Sequence, residues 1–262
     1  MKYDLNHPDE KFFMPEDLNE ISGLSYYQPN QLACVQDEEG LLFIYDTQQK
    51  RVVRHVRFAH QGDYEGVEVV KENVYVVRSD GTLYRSNLTD SVATDVIETT
   101  QVITTPLSVK NDVEGLGYDP TKNQLLLVCK ESPTLDGSPS KSKAVYGYDL
   151  SQNQLIETPV FEIDVNALEK RLQEASGNGK GKFKFKPSGL AFHPIDRQFY
   201  MIASAGNLLV VLNLDGSVET AVPLNPSIYR QPEGICFFPD GTMFISSEGD
   251  GETGYILQFN QR

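Results

Sequence analysis

The sequence predicts an all-β fold, a five-bladed β-propeller, from three observations. An acidic or hydroxyl residue followed by glycine occurs five times, each time ahead of a short apolar run. Apart from one longer gap, these repeats lie about 45 to 50 residues apart, the usual size of a four-stranded blade. Between them, short apolar segments alternate with turn residues, as in antiparallel strands. The five dipeptides are Ser22-Gly23, Glu65-Gly66, Glu114-Gly115, Ser188-Gly189 and Glu233-Gly234.

We predict that residues 1–262 form a single domain. Each blade should contain four antiparallel strands, but the last has only three recognisable ones before the chain stops. A strand near residues 10–15 is the best candidate for its fourth member, and pairing the two ends would close the ring and remove two exposed sheet edges. The predicted blades span approximately 20–60, 64–108, 112–164, 186–224 and 231–262.

The longer gap lies between the third and fourth repeats. Residues 166–175 predict a short inserted helix, with Leu168 and Leu172 four positions apart and charged residues between them. The glycines of 177–181 end it. A sixth blade would have to fit into this gap, but the gap contains no further acidic turn, so five blades are favoured.

Composition excludes several classes of partner. The chain of 262 residues has a formal net charge of −14, which argues against binding to nucleic acid or to anionic membranes. It contains no apolar run as long as a membrane span, and its N-terminus lacks the apolar core of a secretory signal. The three cysteines each lie in an apolar segment without zinc-site spacing, and we expect them to be buried as small hydrophobic residues.

The repeated turns place carboxylates where they should meet. The first strand of each propeller blade lines the central channel, so Glu65, Glu114 and Glu233 should converge near the axis. Carboxylates about 6 Å apart, at an effective dielectric constant near 20, repel one another by roughly 3 kcal/mol per pair. A proton, a basic side chain or a metal ion must therefore neutralise them. The glycines, by contrast, should allow the crowded inner strands to approach closely.

A second set of residues, at the ends of the second strands, allows two interpretations. In the first, Arg78 and Lys130 lie beside Glu65 and Glu114 in a structural salt-bridge network. In the second, the carboxylates hold Ca²⁺, which takes 6–8 oxygen ligands. The metal ligands would then be Glu65, Glu114 and Glu233, together with Glu248 and Asp37. Lining the channel or supporting the site would be Ser22, Ser188, Ser204 and Ser247.

These motifs, together with Cys129-Lys130-Glu131-Ser132-Pro133 and Ser246-Ser247-Glu248, resemble the bacterial SdiA-regulated family over about residues 18–260. The resemblance implies a five-bladed propeller with bound calcium, relatives that are often exported from the cytoplasm, and no established enzymatic activity. Two strand ends, Arg78-Ser79-Asp80 and Ala203-Ser204-Ala205, depart from the expected acidic or hydroxyl-rich pattern. A more distant resemblance is to NHL-repeat and gluconolactonase-like propellers, and in lactonases of that kind an acidic Pro-Glu-Gly turn holds a catalytic divalent metal.

Two functions follow as hypotheses. The favoured one is a calcium-binding propeller that acts as a binding or scaffold module outside the cytoplasm, with a protein or small-molecule ligand at the channel mouth. The alternative is a metal-dependent hydrolase of the lactonase or phosphoesterase type, with the metal at the axis. That enzyme would need a general base in the channel mouth, for which Asp37 and Glu248 are the candidates.

Overall fold

Five antiparallel sheets follow one another along the chain in a computed structural model that describes residues 1–88, 100–176, 183–249 and 251–262. Blade one contains β2 (Ile21–Gln28), β3 (Gln31–Gln36), β4 (Leu41–Asp46) and β5 (Arg51–Arg57). Blade two contains β6 (Tyr64–Val70), β7 (Asn73–Arg78), β8 (Leu83–Asn87) and β9 (Gln101–Ile103). Blade four contains β15 (Lys186–Phe192), β16 (Phe199–Ala205), β17 (Leu208–Leu212) and β18 (Val218–Pro223). The five-bladed propeller is confirmed.

Blade five is completed by the other end of the chain, as predicted. It contains β19 (Gln231–Phe237), β20 (Met243–Glu248), β21 (Tyr255–Phe259) and, at its outer edge, β1 (Glu10–Phe13). Strand β1 pairs antiparallel with β21, with Phe12 opposite Ile256. A short 3-10 helix, Glu16–Leu18, then leads into blade one. The ring is therefore closed by hydrogen bonds between strands from the two ends of the chain.

Blade three has a divided outer edge. It contains β10 (Val113–Asp119), β11 (Gln124–Cys129), β12 (Ser142–Asp149), β13 (Gln154–Leu155) and β14 (Phe161–Asp164). Both β13 and β14 pair with β12, so that together they occupy the fourth-strand position. Helix α1 (Val165–Ser176) follows, close to the predicted bounds, and the Asp164 carboxylate accepts hydrogen bonds from the backbone amides of Asn166 and Ala167.

The hydrophobic core lies between adjacent blades. Apolar side chains from neighbouring sheets pack against each other around the ring; Val128 of blade three and Met201 of blade four, for example, share one cluster. The three cysteines are free and buried, as expected. No helix in the described ranges is both long enough and apolar enough to cross a membrane.

The first residues of the chain form a part of the core that the sequence pattern did not predict. Tyr3 and Leu5 are buried in the cluster shared by blades four and five. The Tyr3 hydroxyl donates to the carbonyl oxygen of Gly241 at 2.6 Å and lies 2.6 Å from Nε2 of His193. The Tyr229 hydroxyl donates to the carbonyl oxygen of Leu5 at 2.8 Å. Hydrogen bonds made by side chains therefore hold this segment in place, although its sequence shows no strand periodicity.

The five repeated glycines bring the inner strands into close contact at the axis. A Cβ added to Gly23 would lie 2.8 Å from Cα of Gly66, and one added to Gly66 would lie 2.7 Å from the backbone nitrogen of Leu116. Similar contacts, all too short for a real Cβ, continue around the ring at Gly115, Gly189 and Gly234. The space at the axis, lined by residues of all five blades, measures only about 10 Å³, roughly one water molecule. The packing role expected of these glycines is confirmed.

Candidate functional site

A β-bulge lies at the residue that precedes each repeated glycine. Pairing of the first two strands shifts register between Ile21 and Gly23, and likewise between Tyr64 and Gly66. The same irregularity occurs in the other three blades. A bulge leaves one residue unpaired and reorients its side chain. The five reoriented residues, which line the acidic end of the axis, are Ser22, Glu65, Glu114, Ser188 and Glu233.

The two serines in this ring connect neighbouring blades. The Ser22 hydroxyl donates to the carbonyl oxygen of Tyr64 at 2.6 Å, and the Ser188 hydroxyl donates to the carbonyl oxygen of Pro232 at 2.7 Å. Each accepting carbonyl immediately precedes a glutamate of the ring. Both serines are buried. Each serine therefore links its blade to the next one, and its hydroxyl proton is taken up by this hydrogen bond.

A second ring comes from the ends of the second strands, and it corrects one sequence assignment. In each blade, the ring residue lies two positions beyond the residue of the second strand that is aligned with the repeated glycine. In blade order these residues are Asp37, Ser79, Lys130, Ser204 and Glu248. Arg78 lies one residue earlier. Because side chains alternate between the faces of a strand, Arg78 points away from this ring.

The side chain of Arg78 does not neutralise Glu65. Its Nε and Nη2 atoms donate to the two carboxylate oxygens of Asp80 at 3.1 and 2.5 Å, and Nη1 donates to the Tyr84 hydroxyl at 3.1 Å. Arg78 therefore does not form the pair with Glu65 that the salt-bridge interpretation required, because strand alternation places Ser79, rather than the arginine, in the ring.

Lys130 does pair with Glu114. Its Nζ lies 2.6 Å from Oε1 of Glu114 and 3.8 Å from Oδ2 of Asp112. Burial opposes the charge on Lys130, but the hydrogen bond and the charge of Glu114 outweigh it and raise the pKa of the ammonium group. In blade three, the salt bridge between Lys130 and Glu114 that this interpretation proposed is therefore present.

The positions just before the inner strands, or at their first residue, form a third ring, which the sequence analysis missed. Asp63 and Asp112 lie near enough to the glutamates of the acidic end to raise their pKa values. The signal was present in the sequence, since each of these residues lies three positions before a repeated glycine. The ring consists of Glu20, Asp63, Asp112, Lys186 and Gln231.

The acidic end concentrates negative charge in a poorly solvated place. Burial and the neighbouring charges of Glu114 and Asp63 raise the pKa of Glu65 to about 10. Burial, then Glu248 and Glu114, also raise the pKa of Glu233 well above its usual value. At the same end, the pKa of Glu248 rises to about 7 and that of Asp37 to about 6, in both cases chiefly through burial. The raised pKa values mean that these carboxylates keep their protons to unusually high pH, and a bound cation would take the place of those protons.

Among the described residues near this end, two buried oxygens lack a hydrogen-bond partner. One is Oδ1 of Asp37, in the second ring; the other is Oγ of Ser247, which lies opposite Pro232 at the position equivalent to Arg78 and therefore faces away from the ring. Elsewhere in the second ring, Gln231 Nε2 donates to Oε2 of Glu248 at 2.5 Å, and Ser204 lies half-buried near the end of β16. Buried polar atoms are normally satisfied, so an unpaired carboxylate oxygen points to a missing partner.

The donor atoms fit a hard divalent cation in type. Carboxylate oxygens are what Ca²⁺ prefers, and Asp37, Glu65, Glu233 and Glu248 supply them. They do not form a ready-made cage, because among the described residues no three Asp, Glu, His or Cys side chains lie in a metal-binding arrangement. Binding would require these side chains to turn toward one another.

Comparison with known proteins agrees with this architecture. The sequence model of the SdiA-regulated family matches residues 10–250. The chain belongs to the SdiA-regulated family. No curated protein is significantly similar to it in sequence.

Solved structures similar to this family member share its fold at low sequence identity. The PQQ-bound aldose sugar dehydrogenase of Streptomyces coelicolor matches with a TM-score of 0.60 and 11% identity, covering 98% of both chains. A luciferin-regenerating enzyme matches with a TM-score of 0.56 and 10% identity, covering 97% of this chain and 95% of the other. A protein of unknown function from Bacteroides thetaiotaomicron VPI-5482 matches with a TM-score of 0.56 and 13% identity, and the match covers 90% of this chain and 55% of the other. At these identities the likeness concerns the fold alone.

Proposed function

We propose that the protein is a calcium-binding propeller that acts as a binding or scaffold module. The observation that carries the proposal is the set of buried and half-buried carboxylates at the acidic end of the axis, whose ionised forms repel one another and one of which has an unpaired oxygen. A divalent cation would remove this repulsion and supply the missing partner for Asp37. Because the carboxylates come from different blades, the same ion would tie the blades together.

The proposed ligands lie on three consecutive blades of the closed ring. Glu233 and Glu248 belong to blade five, Asp37 to blade one and Glu65 to blade two. Glu114 of blade three, by contrast, is already paired with Lys130. We therefore assign Glu114 to the internal ion pair and place the calcium toward blades five, one and two.

The ligand of this module would bind at the mouth of the acidic end. There a bound calcium with open coordination positions would meet an oxygen-bearing group of a protein or small molecule. Extracellular modules commonly bind calcium weakly, with Kd values near 10⁻⁴–10⁻³ M, which suits a location outside the cytoplasm, where calcium is abundant. We accordingly propose an extracytoplasmic location for this protein.

Calorimetric titration of EDTA-treated protein with calcium chloride, together with thermal unfolding, tests the proposal. Calcium at about 100 times its Kd should raise the melting temperature by about 5–10 °C. Glu233→Gln and Glu248→Gln should abolish this rise. Glu72→Gln, in an exposed turn, is the matched control for loss of one carboxylate and should keep it. Absence of binding heat, of a thermal shift and of metal by elemental analysis would refute the proposal.

A second candidate function is a metal-dependent hydrolase. The observation in its favour is that the pKa values of Glu248 and Asp37, about 7 and about 6, are those of a general base working near neutral pH. A lactone or phosphate ester at the same mouth would meet this base. A screen of lactones and phosphate esters with calcium, manganese and zinc, using Glu248→Gln as the inactive control, separates the two functions.

A further inference from the structure

The opposite end of the axis holds a second cavity, unrelated to the acidic end. It has a volume of about 170 Å³ and is lined by residues from the far ends of all five inner strands. One water molecule needs only about 10–15 Å³ by the same measure, so the cavity has room for a small organic ligand. The glycine ring narrows the axis between the two ends. The residues that define this aromatic cavity are Tyr26, Glu68, Tyr118, Phe192, Cys236 and Phe237.

Its one carboxylate, Glu68, has no basic partner in the part of the chain that the structure describes. Oε1 of Glu68 accepts a hydrogen bond from the Ser25 hydroxyl at 3.1 Å, and that hydroxyl accepts one from the amide of Val69, also at 3.1 Å. Among the described residues, no ion pair includes Glu68. Burial raises the pKa of Glu68 to about 8, even though the bonds to Ser25 and Val69 act in the other direction. The carboxylate is thus held in position without a counter-ion.

Aromatic rings form the walls around this carboxylate. Tyr26, Tyr118 and Phe192 are half-buried and line the cavity, while Phe237 is buried beside them. Tyr118 is close enough to Glu68 for the carboxylate to raise its pKa, after the larger effects of burial and Asp119. Ring faces carry partial negative charge and attract cations, most strongly where water is excluded.

These features select the class of ligand. An anion would meet Glu68 without any basic group to hold it. Calcium needs 6–8 oxygen ligands, whereas this cavity offers one carboxylate and a few hydroxyls among apolar rings. A small organic cation, by contrast, is satisfied by one carboxylate and several ring faces. We propose that the aromatic cavity binds a small organic ammonium compound, with Glu68 as its counter-ion and the rings of Tyr26, Tyr118 and Phe192 as its walls.

A pair of probes that differ only in charge tests this proposal. Choline carries a trimethylammonium group, and 3,3-dimethylbutan-1-ol is its uncharged isostere. At pH 9, above the pKa of about 8 of Glu68, calorimetry or ligand-observed NMR should show choline binding roughly ten- to thirtyfold more tightly than the alcohol. Equal affinity for the two probes, or no choline binding up to about 10 mM, would overturn the proposal.

Variants then assign the binding to this cavity. Glu68→Gln, which keeps the side-chain shape, should weaken choline binding at least tenfold, and Tyr118→Leu should weaken it as well. Tyr118→Phe keeps the ring and should bind normally. Glu72→Gln serves as the control for a surface carboxylate. Choline binding that survives Glu68→Gln, or that is lost in Glu233→Gln at the acidic end, would place the site elsewhere and refute the assignment.

Discussion

Lys130 Nζ lies 2.6 Å from Oε1 of Glu114, and this contact divides the acidic end into two unequal halves. Blades three and four contribute the lysines of the rings, Lys130 and Lys186, and Lys186 forms an ion pair with Glu131. Blades five, one and two contribute carboxylates without an ammonium partner in the described residues. A cation is therefore expected on the side away from Lys130.

Lys130→Met should change stability and calcium affinity in opposite directions. Removing one partner of a partly buried ion pair leaves Glu114 uncompensated, and we expect a loss of about 2 kcal/mol in the free energy of unfolding without metal. Calcium should bind about tenfold more tightly, because a nearby positive charge is gone and a carboxylate is released. Lys186→Met is the control, since its pair with Glu131 is exposed. Unchanged calcium affinity in Lys130→Met would contradict the arrangement proposed for the ion.

The blades were predictable because the signal repeats. Five copies of one turn, each followed by strand periodicity, determine the number of blades, and the missing strand of blade five pointed to residues 10–15. Tyr3 and Leu5 were not predicted, because two isolated apolar residues among polar ones show no periodicity. Their burial depends on partners such as His193 and Tyr229, which lie about 190 or more residues away in the chain.

The first ring of the candidate site was predictable, whereas the second was wrong at one position and the third was missed. A bulge adds one residue to a strand and shifts every later side chain to the other face. Assigning Arg78 instead of Ser79 to the second ring is such an error of one residue. The aromatic cavity was not foreseen, although a signal was present: in four of the five blades the third residue after the repeated glycine is aromatic, namely Tyr26, Tyr118, Phe192 and Phe237. Aromatic residues within an apolar strand are equally typical of the core, so this repetition did not by itself indicate a cavity.

Gly66→Ala should destabilise the propeller by about 2–3 kcal/mol. The new Cβ would lie 2.7 Å from the backbone nitrogen of Leu116, which cannot move without disturbing blade three. Gly251→Ala is an informative control: its φ of +81° makes alanine unfavourable, but no atom lies within 4 Å. It should cost only about 1 kcal/mol. Urea denaturation measures both, and equal losses would show that the inner strands are not in tight contact.

Glu68 should make stability fall as pH rises. Its pKa is about 8 in the folded protein and near 4.5 when unfolded, so between these values the folded state binds more protons. The contribution of protonated Glu68 to the free energy of unfolding is complete below about pH 4.5 and is lost as pH rises through 8. Relative to wild type, the free energy of unfolding of Glu68→Gln should therefore rise by roughly 2 kcal/mol between pH 5 and pH 8.5. This is less than the full pKa shift implies, because Glu68 keeps some solvent contact. A constant difference across this range would contradict the burial of Glu68.

Closure of the ring can be tested with two adjacent phenylalanines of β1. Phe12 is 3% exposed and packs edge-on against Tyr45 of blade one, with ring centroids 5.9 Å apart, whereas Phe13 is 64% exposed. Phe12→Ala should lower the free energy of unfolding by about 3 kcal/mol, because it leaves a cavity where blades five and one meet. Phe13→Ala, one residue further along the same strand, should change it by less than about 0.5 kcal/mol. Equal effects in urea denaturation would mean that β1 is not docked in the ring, since only a paired and packed strand distinguishes its two faces.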